Sequence, residues 1–220
     1  MIGWVFFFAV LLAPCIIGIT SAVRAASRVT KADQAMRALA ARPGWEQVVR
    51  RKGGDQWVGY ASHFPALMST YLMTTVTGPL DGNQVTICRF LKMTVESRNQ
   101  AHWLLVHFEL PGDRTPILRL ERHWSAAHLG LRFAHDVPYL PLSDNRRATA
   151  DQFYASDLPQ RLAKLAGPAV SFMGDQACFA YFPLPEVVDM GNLLKGLAAL
   201  LPDLAALARE IPREDETEHA

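Results

Sequence analysis

The sequence predicts an α+β protein: an N-terminal transmembrane helix followed by an antiparallel β-meander with a C-terminal helical layer. Three observations carry that expectation. Residues 1–23 (MIGWVFFFAVLLAPCIIGITSAV) hold no charged side chain. Residues 68–122 divide into apolar, β-branched runs punctuated by Gly-Pro-Leu-Asp-Gly at 78–82 and Pro-Gly-Asp at 111–113, which are turn signals at hairpin spacing. Toward the C-terminus, Val187, Met190, Leu194, Leu197, Leu201, Leu204 and Ala208 recur at spacings of three and four, the pattern of a helix with one buried stripe.

At about 1.5 Å per residue, the uncharged head reaches across a hydrocarbon core of about 30 Å. Lys and Arg are absent before Arg24, whereas a signal peptide places positive charge ahead of a shorter apolar run. A retained span is therefore expected, with cleavage after Ala22 as the alternative. Between residues 24 and 52 stand Arg24, Arg28, Lys31, Arg37, Arg42, Arg50, Arg51 and Lys52 against Asp33 and Glu46. Basic residues close to a span stay on the cytoplasmic side. The expectation is a single pass through the cell membrane with the C-terminal domain cytoplasmic, and an exported domain is the alternative.

Residues 24–55 are expected to form a basic juxtamembrane helix and linker. At 100° per residue, Arg24, Arg28, Lys31 and Arg42 share a face, beside a second face of Ala25, Val29, Ala32, Met36 and Leu39. The four basic residues are the candidate lipid-headgroup contacts, each cation contributing roughly 1 kcal/mol at an anionic surface. A solvated stalk whose charges only set topology is an equal reading. Residues 44–52 read as a short helix, followed by a break at 51–55.

The globular α+β domain is expected over residues 56–212. Its strands are 68–77, 84–95, 101–110 and 117–122, with 101–110 central because both of its alternating sets are large and apolar. Residues 152–156 read as a further strand, and Asp157 as the cap of a helix over 158–165. A hairpin follows, with runs 169–173 and 177–182 joined at Gly174-Asp175. The leucine-rich helix from about 186 then packs on the sheet, with a break expected at Pro202. Residues 213–220 are an acidic tail. Beyond residue 52 the chain carries 14 basic and 19 acidic residues, which argues against nucleic-acid binding by the domain. Cys15 lies in the apolar head, and Cys88 and Cys178 fall in strands as core thiols.

The chemistry-bearing residues form no catalytic or metal-binding pattern. The seven histidines lack Cys or acidic partners at ligand spacing, and neither a Gly-x-Ser-x-Gly elbow nor a phosphate-binding Gly-rich loop is present. His107 and Glu109 share a strand face and could form a proton-transfer couple. Asp136, Asp144, Asp151 and Asp157 read as turn and cap formers. Arg119, Glu121 and Arg122 near Trp124 could hold an anion or stack on a flat ligand, although cross-strand ion pairs explain them more simply. No catalytic residue, metal ligand or cofactor is assigned.

Residues 151–166 (DQFYASDLPQRLAKLA), then 170–175 (VSFMGD) and the leucine-rich helix, resemble the C-terminal half of an uncharacterised bacterial family of membrane-anchored domains. The turn at 78–82 and the strand around Pro116, Ile117 and Leu118 extend the resemblance to about two thirds of the domain. It implies a membrane-proximal start and no particular activity. The residues together favour a membrane-tethered, non-enzymatic binding or scaffolding domain whose partners are membrane lipids and an unspecified protein. A membrane-anchored hydrolase with a loop-assembled His/carboxylate site, drawing on His107, His123, His128, His135 and the loop aspartates, is the alternative. An exported envelope-binding domain is a third reading.

Overall fold

The computed structural model describes residues 2–49, 62–67, 70–92, 101–110, 115–128, 130, 137–143, 146–186 and 189–209. The expected break at 51–55, the turn at 111–113, His135, Asp136, Asp144 and the acidic tail lie outside the described residues. Alternating apolar residues and the Asp81-Gly82 turn build a sheet of eight antiparallel strands: β1 (Glu46–Val49), β2 (Thr70–Leu80), β3 (Asn83–Lys92), β4 (Ala101–Glu109), β5 (Thr115–Glu121), β6 (Leu140–Leu142), β7 (Ala169–Gly174) and β8 (Gln176–Tyr181). Helices are α1 (Ile2–Ala40), α2 (His123–His128), α3 (Arg146–Ala155), α4 (Leu158–Lys164), α5 (Met190–Ala198) and α6 (Leu201–Arg209).

The strand order β1-β2-β3-β4-β8-β7-β5-β6 corrects the simple meander. The β7–β8 hairpin inserts between β4 and β5. Residues 103–108 of β4 are all buried, so β4 needs a neighbour that is apolar on both faces. Residues 177–181 of β8 meet that need, whereas β5 exposes Ile117 and half-exposes Arg119. One sheet face carries Val76, Val85, Ile87, Leu104, Val106, Phe108, Phe172 and Phe179 against the helical layer. The other carries Cys88, Phe90, Trp103, Leu105, Cys178 and Ala180, covered by Phe64, Leu67 and Trp124. A register shift between Leu72 and Thr74 turns Leu72 toward this second face, the usual consequence of a bulge.

Two local expectations are overturned. Residues 152–155 belong to helix α3, because Thr149 and Phe153, four apart, are both buried and share a helical face. Residues 46–49 are an edge strand paired with residues 74–77 of β2, the chain reversing at Gly44 with φ +81°. There Trp45 lies so close over Gly78 that a Cβ would sit 2.4 Å from the indole.

Helix α1 is part of the same folded unit. Ala32, Ala35, Met36 and Leu39 are buried in the main core, so the apolar face read in residues 24–42 packs against protein rather than lipid. The segment expected as juxtamembrane helix and linker thus contributes a helix and a strand to the domain. At the C-terminus, the helical layer forms as expected and breaks at residues 199–200. Pro202 lies in the first turn of α6, where its missing N–H is no loss.

Among the described residues, a stretch long and apolar enough to cross a membrane is Met190–Arg209. Leu194, Leu197, Leu201 and Leu204 are nevertheless buried against the sheet, the placement of core helices. The expected N-terminal segment is shown as a helix and not as a span.

Candidate functional site

Three adjoining clefts lie along residues 23–29 of α1. The first, of about 280 Å³, lies between Arg28, Arg122, Trp124, Gly167 and residues 182–186. The second, of about 220 Å³, is bounded by Ala25, Val29, His102 and Leu184. The third, of about 470 Å³, opens along Val23, Arg24, Ser27 and Glu186. All three share Arg28.

The local sequence explains this shape. β8 ends at Tyr181, and Pro183 and Pro185 supply no N–H to continue a ladder, so Phe-Pro-Leu-Pro-Glu leaves the sheet and runs beside α1. Phe182 stacks on Trp103 with centroids 4.5 Å apart, and Trp124 meets Trp103 edge-on at 4.8 Å. Lys31 forms an ion pair with Glu186, tying helix to loop. That pair, with Arg28 nearby, lowers the Glu186 carboxyl below its usual range.

Arg122 follows the last residue of β5. Its backbone N–H donates to Ser125 Oγ at 2.9 Å, starting α2. Its guanidinium donates to the Pro138 carbonyl at 2.9 Å and lies 5.0 Å from the Tyr139 ring centroid. The head of Arg122 is therefore held in a defined place at the cleft.

A second polar group supports α1 from beneath. Arg89, 7 % exposed, donates from Nε and Nη2 to the Asp33 carboxylate at 2.7 and 3.3 Å. Its Nη1 lies 3.2 Å from His102 Nδ1. Burial, then the Arg89 charge, lowers the His102 pKa.

The candidate lipid contacts are thereby separated. Arg24 and Arg28 line the clefts, Lys31 is engaged by Glu186, and Arg42 lies 4.0 Å from Asp189 at the start of α5. From Arg24 to the end of α1 the axis runs roughly 24 Å, so Arg42 belongs to the far end of the domain. Arg122 and Trp124 reach the cleft, while Arg119 and Glu121 turn to the second sheet face.

That face holds His63 and His107. His63 Nδ1 lies 3.0 Å from Ser171 Oγ, and Nε2 lies 3.0 Å from Gln176 Oε1. Across the strands, Thr86, His107, Cys178, Ser171 and Arg119 form one row. Arg119 donates to the Ser62 carbonyl at 2.6 Å. His63 and Ser171 have the types of a base and a nucleophile, but both are buried, and burial holds the Cys178 thiol well above its usual pKa. These groups pin residues 62–67 to the sheet. Glu109 is exposed and His107 is buried. Asp151 is exposed on α3, and Asp157 pairs with Arg161 at 3.5 Å. Burial raises the Glu121 carboxyl, opposed by Ser125 and Arg119. Among the described residues no group of three or more His, Cys, Asp or Glu is placed to hold a metal.

The row has a pH consequence. Burial, reinforced by His63, pushes the His107 pKa from 6.5 down to about 4. The unfolded chain therefore binds the extra proton first as pH falls. The His107 contribution is complete above about pH 6.5 and is lost as pH falls toward 4, on the order of 3 kcal/mol in all. His107→Gln is expected to lose that part of the pH dependence. Denaturant melts of both proteins between pH 7 and 4 measure it, and identical slopes would contradict it.

No family model, curated protein or solved structure matches the chain.

Proposed function

We propose that the chain is a membrane-tethered, non-enzymatic binding module, anchored by residues 2–23 as a single span, whose basic cleft faces the membrane surface. The continuity of α1 carries this reading. One helix runs from Ile2 to Ala40, uncharged through Val23, exposed over residues 20–27 and buried in the core from Ala32 onward. From Ile19 to Ala40 the helix holds neither Pro nor Gly, so this stretch carries the domain at a set height above the bilayer. Arg28 follows Val23 by about 7.5 Å along the axis, and the headgroup layer is roughly 5–7 Å deep on each side. Helical side chains lean toward the N-terminus, so Arg24 and Arg28 reach back toward that layer.

The excess of Lys and Arg after residue 23 supports a cytoplasmic domain. The sealed His63 and Ser171 support binding over catalysis. The full chain is expected to sediment with membranes and to resist carbonate extraction, and a reporter fused after Ala220 is expected to read cytoplasmic. Extraction by carbonate would overturn the anchor, and an external reporter signal would favour the exported alternative.

A further inference from the structure

We propose that the cleft between α1 and residues 182–186 binds the phosphate of an anionic glycerophospholipid headgroup, with Arg28 and Arg122 as its guanidinium contacts. This rests on the membrane-anchored reading above. Two guanidiniums from distant parts of the chain line one cleft, and Arg24 lines its continuation toward the apolar end of α1. Among the described residues lining the three clefts, the acidic one is Glu186, and Lys31 neutralises it. The cleft is thus left with net positive charge.

Arginine suits such a site because its planar fork of donors matches phosphate oxygens, and such charge-assisted bonds are the strong class. Arg122 is held in advance by Pro138 and Tyr139, which reduces the ordering cost on binding. The adjoining cleft supplies Ala25, Val29 and Leu184, an apolar shelf for the glycerol and first methylenes. Volumes of about 280 and 220 Å³ suit a headgroup rather than a whole diacyl lipid, whose tails stay in the bilayer. The shelf favours an amphiphile over free phosphate.

The test titrates the full chain in non-ionic detergent with dihexanoyl phosphatidylglycerol, dihexanoyl phosphatidylcholine and inorganic phosphate, followed by calorimetry. Saturable binding of the glycerol lipid is expected, about tenfold tighter than the choline lipid, with no binding of inorganic phosphate over the same range. Arg28→Gln is expected to weaken the glycerol lipid about tenfold, the loss of one charge-assisted hydrogen bond. Arg28→Gln/Arg122→Gln should remove the preference, and Arg42→Gln should leave it unchanged. Arg28 lies on the partly exposed helix surface, so its single variant carries the test even where the double variant unfolds. An unchanged preference in Arg28→Gln, or equal affinity for both lipids, overturns the site. Competition by inorganic phosphate at equal concentration overturns the lipid assignment. Variants that lose lipid preference yet remain in the membrane fraction confirm the site independently of the anchor; a wild-type chain absent from that fraction sinks the anchor alone.

Discussion

Deleting residues 190–209 is expected to abolish cooperative unfolding. Met190, Leu194, Leu197, Leu201 and Leu204 are all buried against the sheet. At roughly 1.5–3 kcal/mol for each side chain, their removal forfeits roughly 7–15 kcal/mol, as much as the whole stability of an ordinary domain at about 5–15 kcal/mol. Milder variants read the same packing: Leu194→Ala and Leu204→Ala should each cost about 2–5 kcal/mol. Denaturant melts followed by far-UV circular dichroism measure all three. A membrane-crossing role for this stretch predicts the opposite, a truncated chain that still melts in one sharp transition and near-neutral leucine substitutions.

The second large effect concerns the seat of α1. Asp33→Ala should cost about 3 kcal/mol, because it leaves the buried Arg89 guanidinium without its carboxylate. The same loss should lower the melting temperature by roughly 6–12 °C for a chain of this size. Asp33 is partly exposed, so water softens the penalty toward the lower end. Arg89→Met in the Asp33→Ala background should restore most of the loss, since it removes the stranded charge and keeps the volume. A cost below about 0.5 kcal/mol, with unchanged hydrogen-exchange protection of α1, would mean that the ion pair does not seat the helix.

Much of the sheet was legible because its rules are local. β2, β3, β4, β7 and β8 follow from alternation and from the turns at Asp81-Gly82 and Gly174-Asp175. The central character of β4 follows from its two apolar faces. Strand order was not legible, since the choice of β8 over β5 as the neighbour of β4 is made by long-range packing. Phe153 and Tyr154 suggested a strand by their β-propensity, but burial of Thr149 and Phe153 on one face required a helix. For residues 46–49, Val48 and Val49 favoured pairing with β2 over the expected helical turn.

The apolar face of residues 25–39 was legible as a pattern, and its destination was not. Periodicity reports that a face is buried, without saying whether lipid or protein buries it. The cleft is half-visible in the sequence: Arg28 is one of the candidate lipid contacts, and Arg122 with Trp124 reads as an anion-binding combination. Their meeting was hidden by a separation of more than 90 residues. The segment Phe182-Pro183-Leu184-Pro185, an apolar run that cannot continue a strand, was the available sign that the chain leaves β8 to build a wall. His63 carries no local sequence signal, because its partners Ser171 and Gln176 come from a hairpin more than 100 residues away.

Depth measurement by spin labelling tests the central claim, that one unbroken helix carries the cleft directly onto the membrane surface. In the full chain with Cys15→Ser, a label at Ser27→Cys reports the cleft end of α1. A label at Asp81→Cys reports the opposite end, where Pro79 packs against Gly44 beyond the C-terminus of α1. After reconstitution into vesicles carrying nickel-chelating headgroups, the Ser27 label should be strongly broadened and the Asp81 label, farther away by roughly the 20 Å of helix between residues 27 and 40, only weakly. Equal broadening at both positions, or none at Ser27, would contradict the account.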